Sequence, residues 1–213
     1  MNKILIISPH PDDETIGCGG TLYRHQSEGD ELYWLICTDM KINFGWSKEQ
    51  IDNRTSEIKK VAKLYQFKHV RNLGIPTARV DTIPISKLTR ALGSFVKKVS
   101  PNTIYMPFIS DVHTDHQLIG KAAQSLVKWF RYPSVKKILM YETLSETDFN
   151  FLGNKIFKPN IFVDISNYIN DKINTMKVYE SELGDHPFPR SKKSILSLGA
   201  LRGSQSGYKY AEG

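Results

Sequence analysis

KILIISPHPDDETIGCGGTL, residues 3–22, decides the fold. Its first six residues, Lys3–Ser8, are an aliphatic, β-branched run, too short for a buried helix and closed by Pro9, and they read as a fully buried strand. From Thr15 the pattern changes to a helix reaching Ser27, and between the two lies a turn dense in His, Asp and Glu. Outward from here the same alternation recurs. Strands are expected at Glu31–Thr38, Lys68–Leu73, Thr103–Pro107, Lys137–Tyr141 and Asn160–Ile165. Helices are expected at Lys48–Tyr65, Ile85–Val99, Gln117–Phe130, Tyr168–Leu183 and Lys192–Leu201. Short strands alternating with longer helices imply an open α/β sheet, mostly parallel, with helices on both faces. Residues 1–213 read as one domain without repeats or linkers, the stretch Glu182–Arg190 being a loop within it.

With 213 residues, 40% hydrophobic and 24% charged, the chain can close a core without disulfides or structural metals. Apolar runs such as Ile4–Ile7 are far too short to cross a bilayer, and no hydrophobic leader with a cleavage site precedes the first turn. The expectation is a cytoplasmic protein with no membrane span. Cys18 and Cys37 lack metal or redox spacing and are expected as reduced packing residues. The net charge of +7 favours an acidic partner in the summed field. The lysines nevertheless come in pairs along helix-like segments (Lys59-Lys60, Lys97-Lys98, Lys136-Lys137, Lys192-Lys193), the pattern of solvated faces. No nucleic-acid partner is therefore expected; a phosphorylated or nucleotide-linked substrate explains the excess more economically.

In open α/β sheets, functional residues gather past the carboxyl ends of the strands. Two segments there are rich in metal-ligand chemistry: Pro9–Glu14 after the first strand, and Asp111–His116 after the Thr103–Pro107 strand. Three of the six histidines fall in them. Amide hydrolysis needs an activated water, a base, a group to hold the developing oxyanion and an acid for the leaving amine. A zinc ion with three protein ligands and one open position supplies the first and assists the third. Pro9 and Pro11 stiffen the loop around His10. Adjacent side chains diverge, so of Asp12 and Asp13 one can ligate while the other serves as base. His113 and His116, three apart at a helix start, share a side, so one can complete the metal triad while the other faces the substrate. Asp111 and Asp115 are available to orient imidazoles. A competing reading has Asp12 or Asp13 simply capping the following helix.

PHPDDE, ETIGCGGTL and the later HTDH together resemble the PIG-L/LmbE-like N-deacetylases. DVHTDHQ, Tyr141-Glu142, KPNIFVDIS at Lys158–Ser166 and RGSQSGYKYAEG at Arg202–Gly213 resemble further family blocks in the same order. The resemblance implies a Rossmann-like fold, one zinc ion per chain or another divalent metal in its place, and a small-molecule or glycan substrate bearing an N-acetylated amino sugar. It implies His10, Asp13 and His116 as metal ligands, Asp12 as general base, His113 as the group that meets the oxyanion or the leaving nitrogen, and Asp115 as its support. It also implies Arg54 as a substrate-binding residue. The sequence departs from the family at Thr38-Asp39-Met40, where many members have a Thr-x-Gly turn, and the family's C-terminal block usually runs on past the position of Gly213. The DVHxDH form with the HPFPRS and RG blocks is most similar to members of bacterial surface-polysaccharide or other sugar-modification pathways.

The resemblance leaves the acyl group and scaffold open, so the same zinc site acting on an amino-sugar thiol precursor or a non-sugar amide is one alternative. An inactive sugar- or nucleotide-binding module is another. Its glycine-rich segment, Gly17–Gly20, follows the acidic cluster and lacks the dinucleotide fingerprint spacing. A homo-oligomer is compatible with all of these readings.

Overall fold

The structure, a computed structural model, describes residues 1–151 and 156–213. Its centre is a parallel five-stranded sheet of order β3-β2-β1-β4-β5, formed by β1 Lys3–Ser8, β2 Glu31–Asp39, β3 His69–Pro76, β4 Thr103–Pro107 and β5 Lys137–Tyr141. β1 is the middle strand, and the period of two sends its side chains to opposite faces. Ile4 and Ile6 enter one apolar layer with Trp34 and Ile36; Leu5 and Ile7 enter the other with Leu35 and Cys37. The first layer is covered by α1 (Asp13–Ser27), α2 (Lys48–Leu64), α5 (Ile169–Met176) and α6 (Lys192–Ser206). The second is covered by α3 (Ile85–Val99) and α4 (Thr114–Ala123). Each buried aliphatic side chain of β1 contributes about 1.5–3 kcal/mol, so the strand that carries the first motif is also among the most firmly held.

The glycines of α1 serve packing. A Cβ on Gly17 would lie 2.2 Å from the Tyr141 ring, and one on Gly20 would lie 2.7 Å from Ile165. The helix kinks at Cys18 (φ −144°, ψ 29°), which frees backbone groups in a buried setting. The Lys172 ammonium donates to the Ile16 carbonyl at 2.7 Å, while the Glu212 carboxylate accepts the Gly20 and Thr21 N–H groups at 3.0 and 2.7 Å. Lys172 and Glu212 pair with each other at 2.6 Å. Thus the C-terminal block resembling the family acts at a distance from the motifs, by repairing the helix that follows the first of them.

Several expected elements differ. Asn160–Ile165 contributes only β6 (Val163–Asp164), paired antiparallel with β7 (Ala211–Glu212) in a separate ribbon. The Asp164 carboxylate accepts from the Ser166 N–H and hydroxyl, an Asx turn that ends the run. α4 starts at Thr114 rather than Gln117, because the His113 side chain caps it by accepting the Asp115 N–H, and it ends at Ala123 instead of reaching Phe130. α5 stops at Met176 rather than Leu183; leaving the helix there lets Tyr179 turn inward and donate to Glu14. Lys136 and Lys137 are exposed as expected, but they lead into β5 and not into a helix. Among the described residues no helix is long and apolar enough to cross a membrane.

Candidate active site

From β1 the chain builds outward to β2 and β3, then returns to the other side of β1 for β4 and β5. The switch between β1 and β4 leaves a crevice at their carboxyl ends, and both motifs leave those two strands there. Three ligand atoms converge in it. His116 Nε2 lies 3.3 Å from His10 Nδ1 and 3.3 Å from Asp13 Oδ2, and His10 Nδ1 lies 3.5 Å from Asp13 Oδ2. Tetrahedral coordination with bonds of about 2.0–2.1 Å requires ligand separations of about 3.3–3.4 Å, so this triangle fits a zinc-sized ion with one position open. Asp12 is not in the triangle. His10, His113 and Asp115 also approach one another closely enough to be considered as a metal group. There, however, the Asp115 carboxylate already accepts the Ala78 and Val80 N–H groups at 2.8 and 3.2 Å, and His113 Nδ1 is used as the cap of α4.

The His10 and His116 imidazoles are oriented from behind. His10 Nε2 lies 3.2 Å from Asp115 Oδ2, and His116 Nδ1 lies 2.8 Å from Asp111 Oδ2, whose other oxygen accepts the Thr147 hydroxyl at 2.6 Å. Each carboxylate fixes a tautomer that turns the remaining nitrogen toward the triangle. This corrects the expectation for Asp115: its carboxylate supports His10, and it gives His113 only its backbone N–H, at 3.0 Å. That N–H occupies His113 Nδ1 as acceptor, so the proton of the neutral ring sits on Nε2. Burial and the neighbouring His10 charge push His113 down to about 4, so it is neutral at physiological pH.

Asp12 stands beside the triangle. Its φ of 132° is one that side-chain-bearing residues rarely adopt, a strain of about 1–3 kcal/mol. The backbone is held there by its N–H donating to Glu14 Oε2 at 3.0 Å. Although Asp12 occupies the N-cap position of α1, its side chain accepts no hydrogen bond from the helix, so capping does not explain the residue. Arg190 Nη1 instead donates to Asp12 Oδ2 at 2.8 Å and to Glu182 Oε2 at 3.0 Å.

A family model described as GlcNAc-PI de-N-acetylase, PIG-L, matches residues 5–127, more than half of the chain and inclusive of both motifs. The chain belongs to the PIG-L family. The diacetylchitobiose deacetylase of Thermococcus kodakarensis is 25% identical over 224 residues, covering 100% of this chain and 82% of that protein. The structure of N,N'-diacetylchitobiose deacetylase from Pyrococcus horikoshii superposes with a TM-score of 0.81 at 24% identity, covering 100% of this chain and 82% of that one. A 4-carboxy-2-hydroxymuconate hydratase from Pseudomonas putida shares the fold as well, with a TM-score of 0.69 at 16% identity and coverage of 100% and 95%. The fold therefore carries more than one reaction, and the chemistry of this PIG-L chain has to be argued from its site.

Electrostatics in the PIG-L crevice suit a dication. Burial alone would lower both histidines of the triangle, but hydrogen bonds to Asp115 and Asp13 lift His10 to about 9, and Asp13 and Asp111 lift His116 to about 10. Burial resists the ionisation of Asp13, yet His116 and His10 hold its carboxyl far below the usual range. Without an ion the triangle thus stores protons that a bound metal would displace. Asp12 is pushed up by burial and by the charge of Asp13, with Arg190 and Arg54 opposing.

Arg54 lines the cavity with His10, Asp12 and His113, and it is also tied to the protein around it. Its guanidinium donates to the Pro11 carbonyl at 2.7 Å, lies 3.2 Å from Glu57 and pairs with Glu182, so it braces the His10–Asp13 loop from within the protein. Arg190, Glu182, Glu14 and Glu146 went unassigned in the sequence. Glu14, pushed up to about 7 by burial, accepts from Asp12, Thr15 and Tyr179. Glu146 accepts the His113 N–H at 3.2 Å. The one signal for Arg190 was its place in the HPFPRS block, and nothing local pointed it at Asp12.

Proposed function

We propose that the protein is a zinc-dependent hydrolase that removes the acetyl group from the nitrogen of an N-acetylglucosamine-type sugar, with His10, Asp13 and His116 as the metal ligands. The carrying observation is the tetrahedral spacing of those three ligand atoms with Asp12 and His113 beside them. A zinc ion held there would supply Lewis acidity, acidifying water and polarising the amide carbonyl. Asp12 accepts a proton from the water that attacks the carbonyl carbon. Its raised affinity for protons suits it to hold that proton and then pass it to the amide nitrogen as the C–N bond breaks, leaving acetate and a free amine. His113 presents its Nε2–H to the carbonyl oxygen as negative charge develops there. Asp115 and Asp111 are positioning residues, and Arg190 fixes the carboxylate of Asp12. Family membership and the similarity to diacetylchitobiose deacetylase support an amino sugar as the acyl carrier. The test is acetate release from N-acetylglucosamine and its glycosides by protein stripped with a chelator and then restored with zinc. Release that depends on the metal is expected; absence of release from every N-acetylated sugar would overturn the reading.

A further inference from the structure

Residues 82–110 and 117–141 contain nine basic residues and no Asp or Glu. The other 20 basic residues are outnumbered by the 22 acidic ones, so these two stretches carry the whole surplus behind the net +7. The fold lays them side by side. The first contains α3 and the second most of α4, the two helices that cover the second apolar layer. A Cβ on Gly93 of α3 would lie 2.2 Å from the Tyr132 hydroxyl, so the chain beyond α4 rests directly on α3. Along α3, Lys87, Arg90, Lys97 and Lys98 are exposed at helical spacing while Leu92, Phe95, Val96 and Val99 are buried. Lys121, Lys128, Arg131, Lys136 and Lys137 are exposed as well. Among the described residues none of the nine pairs with a carboxylate. Nor does any of them line the catalytic cavity, so a phosphorylated substrate bound there leaves this surplus unexplained.

The same face exposes aromatic rings. Between α4 and β5, Val127, Trp129 and Phe130 are 63%, 74% and 63% exposed, interleaved with Lys128 and Arg131. This segment lies at the amino end of the sheet: the Lys136 and Lys137 N–H groups both donate to the Asn102 carbonyl, just before β4. The two motifs leave β1 and β4 at the opposite, carboxyl end. Solvated rings amid cations without counter-charges are the composition of an interfacial anchor, in which the rings enter the headgroup region and the ammonium groups reach lipid phosphates. A nucleic acid fits less well. The Trp129 and Phe130 rings stand at 90° with centroids 6.0 Å apart, so they form no common platform for successive bases, and seven of the nine cations are Lys rather than Arg. A second copy placed face to face would meet its own sign of charge.

We infer that the α3–α4 face and the 127–137 segment dock the protein on the surface of an anionic lipid bilayer, with Trp129 and Phe130 in the headgroup region and the crevice at the far end left open to water. The test is cosedimentation of the whole chain with vesicles of phosphatidylcholine alone or with about a third phosphatidylserine. Binding is expected to the phosphatidylserine vesicles and not to phosphatidylcholine alone, and it should weaken as salt is raised. Tryptophan emission should shift to the blue on binding, and the shift should be lost in Trp129→Phe. Replacing Lys128, Lys136 and Lys137 together by Gln should lower partitioning by about a hundredfold, at about fivefold per cation. Trp129→Ala with Phe130→Ala should lower it by about tenfold or more while leaving the Tm unchanged, since both side chains stand in solvent. No binding to the anionic vesicles, or binding that both sets of substitutions leave intact, would overturn the inference. So would an oligonucleotide that strips the bound protein from the vesicles, or an oligomer, seen by sedimentation velocity, that Trp129→Ala with Phe130→Ala breaks into monomers.

Discussion

His113→Ala should remove two properties that the geometry joins in one side chain and leave a third, metal binding, intact. The imidazole caps α4 through Nδ1, which accepts the Asp115 N–H at 3.0 Å, and it faces the catalytic cavity with the Nε2–H that the cap leaves in place. Losing the cap costs about 1 kcal/mol. For a chain of this size that is a fall of roughly 2–4 °C in Tm. Losing a preorganised donor to the oxyanion costs about 2.7–4 kcal/mol, or about 10²–10³ in kcat. The metal should be retained, because the ligand triangle does not include His113. His113→Asn distinguishes the two losses: asparagine is a strong cap and should recover most of the Tm, while its shorter amide should recover little of the rate. Since His113 is held neutral from about pH 4 upward, its titration should contribute no limb to the rate profile at neutral or alkaline pH. The assays are thermal melting, metal analysis and initial rates of acetate release. Zinc lost from His113→Ala would refute the ligand assignment, and an unchanged kcat would refute the oxyanion role.

Zinc affinity should climb with pH by up to about two log units per unit below pH 9, because His10 and His116 are raised to about 9 and about 10 and both protons must leave when the ion binds. Chelator competition between about pH 6 and about pH 8 reads the slope, and a flat profile would mean that the ion binds elsewhere. Asp115→Asn removes the carboxylate behind His10, so zinc affinity should fall by about 10–100-fold while the three ligands stay in place; undiminished affinity would return Asp115 to a role at His113. Lys172→Met should leave the Ile16 carbonyl and the Glu212 carboxylate buried without their cation, at a cost of about 3–5 kcal/mol. Differential scanning calorimetry should show a large drop in Tm; a loss below about 1 kcal/mol would mean that the kink in α1 is satisfied in another way.

What could be read in the sequence was whatever local pattern determines. The aliphatic run of β1 announced a buried strand, and the two histidine- and aspartate-rich segments could be placed at strand exits; which of their residues form the triangle, His10, Asp13 and His116, came from the family resemblance. What could not be read depends on partners far apart in the chain. Asp115 lies two residues from His113 but 105 from His10, and the fold turns its carboxylate to the distant one. Arg190 meets Asp12 across 178 residues, and Arg54 meets Glu182 across 128. Arg54 was expected at the substrate from the family resemblance alone; the fold puts it in the cavity wall but buried, with the Pro11 carbonyl and Glu182 as partners that no local pattern announces. The ends of α4 and α5 were misjudged for a related reason: a histidine cap and an inward tyrosine set them, and neither alters the apolar periodicity.

The most direct test of the account is Asp12→Asn against the wild type, both loaded with zinc, with metal content and acetate release from N,N'-diacetylchitobiose measured on the same samples. Asp12 lies outside the ligand triangle but beside it, so the variant should keep a full complement of zinc and lose about 10²–10⁴ in kcat, since an amide cannot take the proton of the attacking water. An Asp12→Asn protein that carries its zinc and hydrolyses the sugar at the wild-type rate would contradict the account.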